Sequence, residues 1–378
     1  MKVSVLRGAA ELAAMLREWE ELAAGAIEPN PVYEPWMLLP ALEAFAGESE
    51  LRIVAVRDGD ALAGLFPLKL EPRYKGLPLR AAASWTHPHF MLGVPLVSSN
   101  RAREVLRALF SWARGAASVL ELAYLAVEGP FHQVLVDVLN EEAHTSLASN
   151  TYARPILRRA SDAQTYLKTC MPGDVRRELR RREKRLAEAG RLEHRVLREC
   201  GELARWIEDF LALEASGWKG RRGSALACRE HNRRFAERLF TGAFERGRLL
   251  MAGLDLDGRP IARYSGLVAG EGAITFKTAF DESLRKFGPG TLALADLTAL
   301  VHEHPAVQWM DSYTAPDNEM MAALWKHRRT VQSVAVATDL RGKAALAALP
   351  LAHFVRRCAA KLRRRKARAR HFPSLSPA

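Results

Sequence analysis

Apolar and polar positions along this chain switch between a helical period and a strand period, and the order of switches occurs twice. Leu12, Met15, Leu16, Trp19 and Leu22 recur at helical spacing and predict a helix over Ala9–Ala24. Pro29, Pro31 and Pro35 break it, and a short helix follows near Trp36–Phe45. The β-like runs Leu51–Arg57 and Ala61–Leu70 flank Asp58-Gly59-Asp60, a hairpin signal. After a loop-rich stretch over 71–99 with extended pieces come a helix (Arg101–Arg114), a strand (Val119–Leu125), a helix opening on Pro130 (Gly129–Asn140) and an extended run (Ala153–Leu157).

The second half follows the same plan. A charged helix (Gly173–Ala189), a strand (Leu192–Leu197) and two helices (Gly201–Ser216, His231–Arg246) precede a hairpin, Leu249–Leu256 with Pro260–Val268, across Asp257-Gly258. Then come a strand (Ala273–Phe280), a glycine-bearing loop, a helix (Thr291–His302), a strand (Trp309–Tyr313), a helix (Asn318–His327) and a last strand (Val331–Ala337). RIVAVRDGDALAGLFPLKL and LLMAGLDLDGRPIARYSGLVA both read strand, Asp-Gly turn, strand, so the repeat is one of architecture rather than of residue identity. A chain of 378 residues has the length of two domains. The pattern divides it at 1–157 and 158–338, with a tail over 339–378.

Composition narrows the class. At 48% hydrophobic and 26% charged residues, the chain can bury ordinary cores. Cys170, Cys200, Cys228 and Cys358 form no C-x-x-C pair, which argues against a zinc site or a disulfide framework and for free thiols in a reducing cytosol. Arg7, Glu11 and Arg17 interrupt the first apolar stretch, so no signal peptide is expected. No run of uncharged apolar residues is long enough to span a bilayer.

Of the net charge of +13, residues 341–378 supply eleven Lys/Arg and no Asp/Glu, which leaves +2 for residues 1–340. The body is therefore nearly neutral, and the high pI does not make it a nucleic-acid-binding domain; the tail alone carries that suggestion. In the tail, Leu351, Phe354, Val355, Cys358 and Leu362 fall on one helical stripe ahead of the arginine run. That pattern suits either a peripheral helix on an anionic membrane surface or a disordered solubilising tail. Helix 174–189 carries seven Lys/Arg against four Asp/Glu. Its i,i+4 pairs read as a solvated face, while Arg176, Arg177 and Arg180 could also receive a phosphorylated donor or tRNA.

The chemistry concentrates at residues 281–295, DESLRKFGPGTLALA, where Arg285-x-x-Gly288-x-Gly290 joins a strand to an apolar helix. Glycines let the backbone approach an anion, and the N–H groups at the helix start face it with the dipole behind them. Arg285 adds a forked contact. Arg285, Lys286, Phe287, Gly288, Gly290 and Thr291 therefore make up a candidate diphosphate cradle. Asp281 reads as a cap on that loop. Lys277, between Phe276 and Thr278, is either a contact for a substrate phosphate or carboxylate or part of a solvated strand face. His87-Pro-His89 and His302-x-His304 are not metal pairs, because residues two apart share no helix face and no cysteine or acidic cluster completes four ligands.

The loop resembles the acyl-CoA loop of the GNAT acyltransferases, Gln/Arg-x-x-Gly-x-Gly/Ala between a central strand and a helix. Taken in order, FLALEASGWKGRRGSAL (210–226), the hairpin 249–268, TFKTAFDESLRKFGPGTLAL (275–294) and DSYTAPDNEMMAALWKHRR (311–329) are similar to the CelD/BcsL-type acetyltransferases. That GNAT branch is associated with exopolysaccharide clusters and related in plan to the Fem aminoacyl transferases. The resemblance spans roughly 150–338 and implies a mixed α/β fold of two tandem GNAT-like domains, each a mostly antiparallel sheet flanked by helices. It implies acetyl-CoA or another acyl-CoA as cosubstrate, no metal, and an amino-sugar or related amine acceptor. The alternatives are an aminoacyl-tRNA donor or a catalytically silent partner of a polysaccharide synthase. A cytoplasmic place follows, peripheral to the inner membrane if the tail binds lipid. The resemblance offers Tyr313 as general acid, with Asp311 and Glu214 as base candidates. It puts Trp218 and Lys219 on the acceptor side, and a backbone N–H of Phe276–Ala279 as oxyanion donor.

Overall fold

The computed structural model describes residues 1–47 and 50–350. The first half opens with β1 (Lys2–Leu6), α1 (Ala9–Ala13), α2 (Leu16–Ala24) and α3 (Pro35–Phe45). It continues through β2 (Leu51–Asp58), β3 (Ala61–Glu71), β4 (Ala81–Ser84), β5 (Leu96–Val97), α4 (Ala102–Ala116), β6 (Val119–Ala126), α5 (Pro130–Glu141) and β7 (Ser146–Arg158). The second half comprises α6 (Ala163–Cys170), α7 (Gly173–Ala187), β8 (Leu192–Val196), α8 (Cys200–Ser216), α9 (Trp218–Arg221) and α10 (Glu230–Glu245). β9 (Leu249–Leu256), β10 (Arg259–Ala269), β11 (Gly272–Phe280), α11 (Pro289–Glu303), β12 (Trp309–Asp311), α12 (Glu319–Leu324) and β13 (His327–Ala337) complete it.

One sheet of 13 strands runs through both halves in the order β1-β2-β3-β4-β6-β13-β7-β12-β11-β10-β9-β8, with β5 on β3. Among the described residues only β4 with β6, and β11 with β12, pair in parallel, one such pair in each half. The halves exchange their last strands. β7 leaves the first half to pair with β12, and β13 crosses back to pair with β6 while lying antiparallel to β7. A helical stretch over 340–350 buries Leu346 and Leu349 against Ala81, Val119 and Ala335, so this part of the expected tail packs on the first half. The membrane-surface stripe from Leu351 onward lies outside the described residues.

Local physics explains the departures from the periodic reading. The helix expected over Ala9–Ala24 breaks at Ala14–Met15, where Met15 N–H bonds Leu12 O in a tighter turn. The break re-aims α2 so that Trp19 is fully buried, its indole N–H donating to Tyr33 O at 2.8 Å. The helix expected over Asn318–His327 starts as anticipated, with Asn318 Oδ1 accepting from Met321 N–H, but stops at Leu324. Trp325 is drawn into the core with its indole N–H on Thr298 Oγ1, and the chain turns extended into β13. Strand β1, whose residues are at most half-buried, and helix α6, which buries only Tyr166, were not anticipated. Among the described residues no helix is long and apolar enough to cross a membrane.

Candidate functional site

The site is organised by β11. Its ladder with β10 runs to Gly266 opposite Thr275 and resumes at Tyr264 opposite Thr278. Ser265 therefore faces two residues, Phe276 and Lys277, which defines a β-bulge. The Ser265 hydroxyl accepts from Lys277 N–H at 3.2 Å and donates to Lys277 O at 3.1 Å. A movable hydroxyl thus holds an amide that regular pairing would have locked. On its other edge β11 pairs with β12 only from Gly272 to Ile274. Beyond a last link from Thr275 Oγ1 to Ser312 O, the strands diverge. Phe276 and Ala279 pack in the core with α8 and α10, Phe280 in the core with α11.

Past β11, a 3-10 turn over Glu282–Phe287 leads into α11. Asp281 caps the turn, its carboxylate accepting from Ser283 N–H at 2.9 Å. Gly288 has φ +63, in the left-handed region, and Pro289 opens α11. The cradle has fewer unpaired amides than the helix start expected from the sequence would offer. Gly288 N–H bonds Arg285 O, Thr291 and Leu292 N–H both bond Gly288 O, and Pro289 has no N–H. Across residues 288–292, Gly290 alone keeps a backbone N–H without a partner. Arg285 and Lys286 are exposed. Arg182 of α7, paired with Glu178 at 2.8 Å, lies so close over Gly288 that an added Cβ would sit 2.6 Å from its Nη1. Arg182 and Arg285 both border this corner, while Gly290, whose amide is unpaired, is itself buried against Phe280.

α7 is fastened over this corner by His194 on β8. Its Nδ1 lies 2.8 Å from Asp296 of α11 and its Nε2 3.2 Å from Glu183 of α7. The bond to Asp296 raises the His194 pKa, while burial raises that of Asp296. A histidine raised on folding stabilises the fold below its unfolded pKa of about 6.5, and the gain fades as pH rises through the folded value. The Tm difference between the native chain and His194→Gln should therefore be largest on the acid side of neutrality. It should shrink above the folded His194 pKa and again once Asp296 is protonated. A pH-independent difference would refute the bridge.

On the other face of β11, side chains from four segments converge. Glu214 of α8 is 3% exposed. Its Oε1 accepts from Lys219 Nζ at 3.0 Å and lies 3.6 Å from Lys277 Nζ, and its Oε2 accepts from Leu226 N–H at 2.8 Å. Burial lowers the Lys277 pKa against the pull of Glu214. α9 can reach Glu214 because Gly220 passes against the end of α8, where a Cβ would overlap Ala215 O. Trp218 is 48% exposed at the rim, stacked under Arg222, and its N–H donates to Glu282 Oε1 at 2.7 Å. Glu282 also pairs with Arg221, so the loop beside Glu214 is tied to the turn before Gly288. Between them lies a cavity of about 30 Å³ lined by Glu214, Trp218, Lys219, Thr278 and Phe280, room for about one water.

Asp311 and Tyr313 lie at the join of the halves. Asp311 is fully buried between Arg154 of β7, at 2.7 Å, and Arg329 of β13, at 3.1 Å. Burial pushes its carboxyl up, but the two guanidiniums more than offset this and hold it below the usual range. Tyr313 has φ +51. Its hydroxyl donates to His89 O at 2.6 Å and accepts from Met91 N–H at 3.0 Å, and burial raises its pKa. With both bonding directions engaged, that hydroxyl bolts residues 85–95 of the first half in place.

These residues occupy the first half's own parallel strand pair. Gly93 N–H bonds Tyr124 O, and buried Asn30 donates to Leu92 O and Val94 O. The loop carries His89 to the second half, stacked on Phe235 at 5.4 Å and edge-on to Phe276 at 6.1 Å. His87 stacks on Phe45 nearby. Of the residues singled out by sequence, the fold unites Glu214, Lys219, Lys277 and Trp218, and sets Arg285, Gly288 and Gly290 at the far end of β11. Asp311 and Tyr313 belong to a separate buried cluster. His89, Arg182 and Ser265 were not legible as site residues. Only the His-Pro-His triplet gave a signal, and it raised a metal question. Among the described residues no group of three or more His, Cys, Asp or Glu converges as metal ligands.

Residues 173–319 match the acetyltransferase (GNAT) domain family. No curated protein matches the chain in sequence. Among solved structures, FemX covers 88% of this chain and 97% of its own at 11% identity, with a TM-score of 0.55. L-PGS from Bacillus licheniformis covers 88% and 94% at 11% identity and TM-score 0.50. A conserved protein of unknown function from Bacteroides thetaiotaomicron covers 85% and 97% at 13% identity and TM-score 0.52. Likenesses at such identities speak for the fold alone. The fold is thus a mixed α/β tandem of GNAT-like halves, and within it residues 173–319 are similar to the GNAT acetyltransferase domain.

Proposed function

We propose that the protein transfers an acyl group from acyl-CoA, most simply acetyl-CoA, to the nitrogen of an amine. One observation carries this reading: a single strand, β11, bears a bulge with a hydroxyl-held amide, ends in the Arg-x-x-Gly-x-Gly loop, and presents Lys277 to the buried carboxylate of Glu214. The amine nitrogen attacks the thioester carbon, and the amide at the bulge, released by Ser265, stabilises the oxyanion. Glu214 takes the proton from the amine. The C–S bond breaks and the thiolate leaves along the loop side of β11. Tyr313 and Asp311 act as positioning residues that hold the first half's loop against this face. The likeness of segments 210–226, 275–294 and 311–329 to the CelD/BcsL type supports an amino sugar or related precursor of surface polysaccharide as acceptor.

Calorimetry with acetyl-CoA tests the donor. Binding is expected, weakened by Arg285→Ala roughly 10- to 100-fold through loss of a charge-assisted contact worth about 1.5–3 kcal/mol. A second reading, an aminoacyl-tRNA donor as in the Fem transferases, draws support from one observation. Arg182 of the arginine-rich α7 covers Gly288, and across residues 288–292 only the buried Gly290 amide is left without a partner. Absence of acetyl-CoA binding with salt-sensitive tRNA binding would favour it. Binding of neither would leave a silent accessory protein.

A further inference from the structure

The face of β11 opposite the loop carries more positive charge than it uses. Among the described residues Glu214 is the carboxylate that meets it, both its oxygens are engaged, and it faces two ammonium groups, Lys219 and Lys277. The acids closest along the chain are spoken for: Glu282 by Arg221 and the Trp218 amide, Asp281 by Ser283. The first half supplies His89 to the same face. Its Nε2 is buried without a partner, which is costly unless something else completes it. Burial first, then Lys277, His87 and Lys219, push its pKa down to about 2, so the ring is neutral. Phe45, Phe235 and Phe276 wall it in and offer Nε2 no oxygen or nitrogen partner.

Building on the acyl-transfer reading, we propose that the acceptor enters this face by an anionic group, a phosphate or a carboxylate. Lys277 and Lys219 pair with the anion, and the first half donates His89 Nε2–H to it. The anion answers both deficits at once: it balances the second ammonium and ends the isolation of His89. The first half, whose own strand cleft is filled by residues 85–95, thereby acts as the specificity wall for the second. Neutral amines lack the group that this face is built to receive.

The test is thermal denaturation of the full chain with inorganic phosphate, acetate or chloride at matched ionic strength. A ligand of the folded state raises Tm by mass action. Phosphate or acetate should raise Tm over chloride, and the larger rise identifies the anion class. The increment should vanish in Lys277→Met, which removes a charged partner of the anion, and fall by roughly half in His89→Phe, which removes a neutral donor and keeps a ring against Phe235. The proposal is overturned if neither anion exceeds chloride, or if the increment survives Lys277→Met. It is equally overturned if the increment disappears in Arg285→Ala instead, for then the anion sits on the loop after β11. Calorimetry of the native chain with acetyl-CoA reads that loop separately, so failure of the donor reading and failure of this one give different results.

Discussion

Replacing Asp311 by alanine should destabilise the chain by about 3–5 kcal/mol, the range for breaking a buried ion pair from one side. Asp311 and Arg154 are fully buried and Arg329 is nearly so. Their mutual pairing is what makes two guanidiniums tolerable inside the sheet. Without the carboxylate, Arg154 keeps its bond to Met91 O, and Arg329 keeps its place over Trp309 at 4.1 Å, but neither charge is balanced by it. The nearby Glu28, whose carboxyl burial raises to about 7, is a poor substitute. Asp311→Asn should cost nearly as much, because the amide keeps the shape and loses the charge. Urea unfolding measures the effect. A midpoint unchanged in Asp311→Ala would mean that the three strands meeting here, β7, β12 and β13, do not depend on the cluster. Since the Asp311 pKa is lowered on folding, its contribution is present above about pH 4 and is lost as pH falls through the folded value.

The largest expected effect on catalysis is at Glu214. Glu214→Gln should reduce kcat by about 10²–10⁴, the usual share of a positioned proton acceptor. The glutamine can still accept from Leu226 N–H through its carbonyl, so the end of α8 keeps its anchor. Lys219 and Lys277 then face a neutral group, which argues for checking the fold by Tm beside the kinetics. Thiol release from acetyl-CoA, with glucosamine and glucosamine 6-phosphate as amine probes, provides the rate. A variant within a few-fold of the native rate would remove Glu214 from the chemistry and leave it as an anchor for α9.

How far the chain could be read from its residues varied by element. Both Asp-Gly hairpins, the apolar helices and the Arg-x-x-Gly-x-Gly loop were legible, because each rests on bonds between residues close in sequence. Strand β7 was seen only in part, as Ala153–Leu157. Its first residues, Ser146–Tyr152, are mostly exposed or half-buried and carry no apolar alternation. Glu214, Lys219 and Lys277 were each singled out for separate reasons, yet nothing in their spacing says that they meet. Tyr313 was offered as a proton donor by the resemblance, and the bonds that occupy its hydroxyl come from residues more than two hundred positions away.

By itself, then, the sequence determined the period of each element, the doubled plan, the loop after Phe280 and the neutrality of the body, all properties of local pattern and composition. Only the tertiary structure decided which strands were exchanged, how many amides of the loop remained open, and that a histidine from one half completes a face of the other. Those outcomes depend on backbone pairing and burial between segments far apart in the chain. Hydrophobic burial is non-directional, so the pattern fixes that a face is covered without fixing by what. The partners are chosen by register and by the need to satisfy every buried charge.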